Sequence, residues 1–221
     1  MQDVYKKTIY IIRHGQTDGN IRGNWLGSRS INPLNEYGKK QAEDTARVLR
    51  EKAVDASRIF SSPTRRALEH SEIIHKRLGY PIEKVNSITE INLGLLEDRT
   101  REQGLRLVPE EIDDWNNNLR NFDPPLGETA LEASERFFET IKLLTINDSK
   151  PDFIIVSHGV VIKLLLASVL KASLETGETK IQVPQTKHGS ISVFNFDGQN
   201  FTFKNIIENK YLDSKEVANF G

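Results

Sequence analysis

Two short runs, Thr8-Ile9-Tyr10-Ile11-Ile12 and Phe153-Ile154-Ile155-Val156, are apolar or β-branched at every successive position. A strand points alternate side chains to opposite faces, so a strand without polar alternation must be covered on both. This rules out a sheet with one wet face and requires helices above and below. Further strands are predicted at Arg58–Ser61, Ile82–Val85, Ile191–Phe196 and Phe201–Ile207. The last two flank Asp197-Gly198-Gln199-Asn200, which reads as a hairpin link. Helical periodicity fills the other intervals. Asn35 is placed to cap a helix running to about Lys52, with Ala42, Ala46, Leu49 and Ala53 on one stripe. Pro63 suits the first turn of the next helix, whose Ala67, Ile74 and Leu78 face inward. Leu131, Phe138, Ile141 and Thr145 mark a helix over 128–146, and Val161, Leu164, Leu165 and Val169 mark one after Ser157. The alternation predicts an α/β fold, a three-layer αβα domain with a mostly parallel central sheet, flanking helices and a C-terminal hairpin.

The 221 residues fit one domain spanning 1–221. Residues 97–127 do not fit a tidy layer. They are polar, with Leu105, Leu107, Ile112, Trp115, Leu119 and Phe122 scattered among them. They read as a lid-like insertion carrying one or two short helices. Basic and acidic residues nearly balance, 30 against 31, and no long basic run argues for a nucleic-acid surface. The absence of cysteine excludes disulfides, thiolate zinc sites and a cysteine nucleophile. The run 160–170 is interrupted by Lys163 and falls short of the roughly 18 residues that a membrane span requires. The N-terminus lacks a secretory apolar region. A cytoplasmic protein with no membrane partner is therefore expected, and the sequons at Asn147 and Asn200 are expected to carry no glycan.

The first buried run ends on Arg13-His14-Gly15 and the other on Ser157-His158-Gly159. Basic side chains are costly to desolvate at the end of a buried strand unless an anion meets them. In open parallel sheets, ligands bind beyond the carboxyl ends of the strands. Glycine lets backbone approach a ligand closely, and at Gly159 the following helix would offer its N-terminal N–H groups. Arg65 and Arg66 open another helix, where cations oppose the dipole, so at least one is expected to serve an anion. Glu90 closes a short strand-like run. Together these residues suit a phosphoryl group. Arginine grips two oxygens at once, a neutral imidazole can attack phosphorus, and a carboxylic acid can protonate the leaving oxygen. His70 and His75 do not share a helix face and read as surface or packing residues rather than metal ligands.

The segments "RHGQT" (with Asn20 seven residues after Arg13), "WLGSRSINPLNEYGKKQAE", "SSPTRRALE", "ITEINLGLLED", "PPLGETALEASERF" and "VSHG" occur in that order. This series resembles the histidine phosphatase superfamily, in its phosphoglycerate mutase-like, metal-independent branch. The resemblance implies His14 as nucleophile, with Arg13, Arg66 and His158 on the phosphoryl group and Glu90 as proton donor. It implies no metal and no cofactor. Asn20 and Gly27 fall where the family lines its pocket, Gly159 stands beside the second histidine, and His188 lies near a segment that edges the pocket. Three departures stand out: Asp98 where relatives commonly have glycine, Leu126 for the first of two glycines before Glu128, and His70-Ser71 for Thr-Ala. The implied activity is hydrolysis of a small phosphate ester. The alternative is a 2,3-bisphosphoglycerate-dependent phosphoglycerate mutase, although such relatives carry a longer insertion than Ile91–Gly127. A catalytically inactive phosphate binder is disfavoured because the whole residue set is present. Arg99, Arg101, Arg106 and Arg120 could read a second acidic group on the substrate or could balance nearby acids. The identity of the ester and the oligomeric state stay open at this level.

Overall fold

The computed structural model describes residues 6–171 and 183–211. Among them, six strands form one sheet in the order β3-β2-β4-β1-β5-β6. The strands are β1 (Lys7–Arg13), β2 (Ala56–Ser61), β3 (Ile82–Lys84), β4 (Asp152–Ser157), β5 (Ile191–Phe196) and β6 (Phe201–Ile207). The first four run parallel, and β5 and β6 add an antiparallel hairpin against β1. The α-helices are α1 (Asp18–Ile21), α2 (Glu36–Glu51), α3 (Arg65–Leu78), α4 (Arg101–Leu107), α5 (Pro109–Asn117), α6 (Ala130–Asn147) and α7 (Gly159–Leu170). No helix among the described residues is long and apolar enough to cross a membrane.

The unalternating strands are buried on both faces. Ile9 and Ile11 of β1 join Phe153 and Ile155 of β4 in a core completed by Phe137 and Ile141 of α6 and Val161 and Leu165 of α7. Tyr10 and Ile12 join Ile154 and Val156 on the opposite face, against Ala46 and Leu49 of α2 and Ala67 and Ile74 of α3. Each isoleucine removed from water in this way is worth roughly 1.5–3 kcal/mol. The parallel register between β1 and β4 sets Ile11 opposite Ile155 and Arg13 opposite Ser157. His14 and His158 therefore leave the sheet side by side, at the carboxyl ends of adjacent strands.

Several local expectations need correction. The Asn35 cap forms, its side chain accepting from the Gly38 N–H, but α2 ends at Glu51 and Ala53 turns out of the helix at φ 50°. Pro63 precedes α3 instead of opening it, because Thr64 is the N-cap and turns its hydroxyl toward His158. In α6 the buried stripe is Ala130, Ala133, Phe137, Ile141 and Thr145. Leu131 is 55% exposed and Phe138 packs only at the core's edge. The capping box between Thr129 and Glu132 sets where this helix begins, and the Ala130 N–H donates to the Phe122 carbonyl, which turns the alanine face inward.

The polar segment 97–127 is tied into the core. Val108, Ile112, Leu119 and Phe122 are buried, and the Trp115 ring meets Trp25 and Phe122 edge-on, at centroid distances of 4.8 and 4.9 Å. Leu105 and Leu107 stay exposed. Two non-glycine residues in left-handed conformation bracket the segment, Asp98 at φ 60° and Leu126 at φ 61°. Asp98 is compensated, since its carboxylate accepts from Ser30 Oγ (2.7 Å) and Asn32 Nδ2 (3.0 Å).

Candidate active site

His14 and His158, set side by side by the strand register, have ring centroids 5.1 Å apart. On the other side of β1, the turn leading into β5 brings His188 within 5.6 Å of His14, and the Gly189 N–H donates to the Arg13 carbonyl. All three rings are buried.

Hydrogen bonds assign the His14 tautomer. Its Nδ1 lies 2.7 Å from the Gly15 carbonyl, which can only accept, so Nδ1 carries the proton. Its Nε2 accepts from Arg66 Nε at 3.0 Å. Burial, reinforced by the Arg66 and Arg13 charges, holds the His14 pKa well below the imidazole range, so the ring is neutral. His158 and His188 are held low by burial first and then by neighbouring cations.

The two arginines that open α3 have separate fates. Arg65 is exposed and pairs with Glu69 one turn on. Arg66 is fully buried, and besides meeting His14 it donates to the carbonyls of Leu26, Gly27 and Ser30. Arg13 donates to the Thr186 carbonyl (2.6 Å) and to His188 Nε2 (2.7 Å), so that imidazole nitrogen is the acceptor. Burial lowers both guanidinium pKa values to about 10, which still leaves them charged at neutral pH.

Glu90 is buried beside these cations. Its carboxylate accepts from the N–H groups of Ile91 (3.0 Å), Val160 (3.0 Å) and Val161 (3.2 Å). The start of α7, expected to present its N–H groups to a ligand, thus gives two of them to the protein's own carboxylate. Burial nevertheless outweighs these bonds and raises the Glu90 pKa above its ordinary value.

The remaining sequence candidates serve varied purposes. Gly159 lines the cavity, and a Cβ there would stand 3.1 Å from Arg13 Nε. Asn20 lines it too, while its side chain accepts from the Thr17 N–H and hydroxyl in a capping box. Gly27 gives its carbonyl to Arg66 and its N–H to Glu97, and a Cβ would meet Glu97 Oε1 at 2.3 Å. Sequence reasoning missed Ser62 and Thr64, whose hydroxyls reach His158 Nε2 at 2.8 and 3.2 Å. It also missed Glu97, which gathers the N–H groups of Gly27 and Leu93, and His70, which accepts the Gly15 N–H.

Part of this set opens into a cavity of about 930 Å³, while Arg66 and His158 lie fully buried behind its wall and Gly27 does not line it. Arg13, His14, Glu90, Gly159 and His188 contribute to its lining, as do Trp25, Arg101, Trp115, Asp18, Glu36 and Tyr37. The Arg101 guanidinium lies over the Trp25 ring, 5.2 Å from its centroid. Among the described residues no three His, Asp or Glu side chains are arranged to hold a metal ion. The constellation can bind a dianion between buried cations, offer it an unprotonated imidazole nitrogen, and exchange a proton with a buried carboxyl group.

The profile of the Histidine phosphatase superfamily (branch 1) matches residues 9–209. "Probable phosphoglycerate mutase GpmB" of Escherichia fergusonii is 32% identical over 168 residues, 73% of this chain and 74% of that one. "Uncharacterized phosphatase PhoE" of Bacillus subtilis is 27% identical over 206 residues, 92% of this chain and 96% of that one. The solved structure of Bacillus stearothermophilus YhfR superposes with a TM-score of 0.80 at 28% identity, covering 89% of this chain and 95% of that one.

Proposed function

Because the chain belongs to the histidine phosphatase superfamily, we propose that it hydrolyses a small phosphomonoester through a phosphohistidine on His14. The observation that carries this reading is the His14 tautomer, with its Nδ1 proton committed to the Gly15 carbonyl and its Nε2 lone pair beside Arg66. The phosphoryl group sits among Arg13, Arg66 and His158, with Gly159 allowing close approach. As the phosphoryl group enters, Arg66 releases its bond to His14 Nε2; Nε2 attacks phosphorus, the bond from phosphorus to the ester oxygen breaks, and that oxygen takes the Glu90 proton. The ionised Glu90 then accepts a proton from water, which attacks the phosphohistidine and releases inorganic phosphate. Every step uses side chains of this chain, and the buried cations stabilise the charge that the transition state spreads over the phosphoryl oxygens.

Segment 97–127 acts in this reading as the wall that selects the leaving group, within a single domain. Of its four arginines, Arg101 lines the cavity. Arg106 pairs with Glu102 at the surface, Arg99 donates to the Leu95 carbonyl, and Arg120 is exposed. A cavity of about 930 Å³ is near the top of the usual ~300–1,000 Å³ for ligand sites, which favours a leaving group larger than a three-carbon acid.

The second reading is a 2,3-bisphosphoglycerate-dependent phosphoglycerate mutase, favoured by the name of the 32%-identical relative from Escherichia fergusonii. Phosphate release from a panel of phosphomonoesters, with chelator present, separates the two. Release is expected, and it is expected to vanish in His14→Ala. Isomerisation of phosphoglycerate on addition of 2,3-bisphosphoglycerate, without net release, would establish the mutase instead.

A further inference from the structure

The chain leaving β1 is held at three successive N–H groups by three different elements. His14 donates to the Ser157 carbonyl of β4 (3.0 Å), Gly15 to His70 Nδ1 of α3 (3.0 Å) and Gln16 to Gln41 Oε1 of α2 (2.8 Å). His70 is fully buried and lies four residues after Arg66 on the same helix. Since the Gly15 N–H donates, His70 Nδ1 must be unprotonated and Nε2 must carry the ring proton. That Nε2 is buried and has no hydrogen-bond partner among the described residues. Leaving a polar N–H unsatisfied is unfavourable, so packing alone does not account for an imidazole at this position.

The bond that His70 accepts lies one residue from the candidate nucleophile. Gly15 is held at its nitrogen by His70, and its carbonyl accepts the His14 Nδ1 proton at 2.7 Å. There is no slack on the other side, since a Cβ on Gly15 would stand 2.4 Å from the Gly38 carbonyl oxygen of α2. One helix therefore grips the nucleophile loop twice, through Arg66 on the ring and through His70 on the main chain below it. We propose that His70 is a positioning residue, which holds Gly15 so that its carbonyl keeps His14 in the Nδ1–H tautomer with Nε2 unprotonated. The inference rests on the reading of His14 as nucleophile, but the tautomer can be measured without turnover.

The test compares His70→Asn, which keeps an acceptor close to the Nδ1 position, with His70→Leu, which removes it. His70→Ala replaces the leucine variant if that variant fails to fold. Imidazole ¹⁵N NMR reads the His14 tautomer, and steady-state kinetics on p-nitrophenyl phosphate read kcat and KM separately. In His70→Leu, kcat is expected to fall about tenfold to a hundredfold with KM nearly unchanged, the scale of a small displacement of a reacting group. The His14 signals should shift toward a tautomer mixture, and His70→Asn should restore both. The proposal is overturned if a folded leucine or alanine variant keeps the wild-type tautomer and kcat. It is equally overturned if the asparagine variant loses as much activity as leucine, in step with thermal stability, which would mark a purely structural role. If the wild-type protein cleaves no ester, the phosphatase reading fails, and the tautomer comparison alone still decides the role of His70.

Discussion

At the scale of single residues, the proposed chemistry depends on two groups whose pKa values are displaced in opposite senses. Burial raises the Glu90 pKa and, with two arginines, lowers that of His14. In the proposed mechanism Glu90, as general acid, would keep its proton at a pH where an ordinary carboxyl group has lost it, and His14, as nucleophile, would stay neutral where an ordinary imidazole has gained a proton. Glu90→Gln should lower kcat by about a hundredfold or more for esters with alkyl leaving groups, and less for p-nitrophenyl phosphate, whose leaving group needs no proton. Parallel kinetics on the two kinds of ester check this. Acid stability follows from the same burial. The pKa values of His14, His158 and His188 lie well below 6.5 in the folded state, and that of His70 lies at about 3. The unfolded chain therefore binds protons first. The contribution of these histidines is complete above about 6.5 and is lost as pH falls toward the folded values. Unfolding temperatures measured across that range should decline with acid, and His70→Asn should flatten the slope. The sequence exposed His14 and His158 because each ends an apolar strand and precedes a glycine. It did not expose Ser62, Thr64 or His70, because their partners lie on other elements and only tertiary packing brings them together.

At the scale of elements, the two-sided burial of β1 and β4 was readable because it depends only on the chain's own pattern. Helix boundaries were less so. Pro63 is compatible with a first helical turn, and what moves it outside is the Thr64 hydroxyl reaching across to His158. Leu131 suited the apolar stripe of α6 as well as Ala130 did, until the cap at Thr129 set the phase. The insertion hid its anchoring because Val108, Ile112, Leu119 and Phe122 follow no single period: only Ile112 lies within an α-helix, Val108 joins α4 to α5, and Leu119 and Phe122 come after α5. Its borders allow a prediction. Left-handed backbone costs a non-glycine residue roughly 1–2 kcal/mol, and glycine returns about 0.5–1 kcal/mol of this through the unfolded chain. Leu126 is 79% exposed, so Leu126→Gly should stabilise the protein by about 0.5 kcal/mol in urea unfolding. Asp98→Gly should bring no such gain, because it also removes the bonds from Ser30 and Asn32.

At the scale of the whole molecule, a net charge of −1 conceals a site built on two buried cations. Overall charge balance argued against polyanionic partners but could not reveal a local concentration of positive charge. The cavity was also illegible, since only the tertiary fold sets Trp25 against Arg101 and Trp115 of the distant segment 97–127. Arg101→Ala should raise KM several-fold for large esters bearing a second acidic group, and leave KM for p-nitrophenyl phosphate unchanged. An equal effect on both substrates would remove Arg101 from the selecting wall.

The pairing of Arg13 with Ser157 has a consequence for the study of folding. A slip of one residue between β1 and β4 would turn every side chain of β1 to the opposite face and carry His14 away from His158. A misaligned chain could retain most of its helices and most of its compactness while lacking turnover entirely. In refolding experiments, recovered turnover would therefore count correctly aligned molecules, whereas circular dichroism would count collapsed ones. The gap between the two recovery curves would measure how often the central strands first pair out of step.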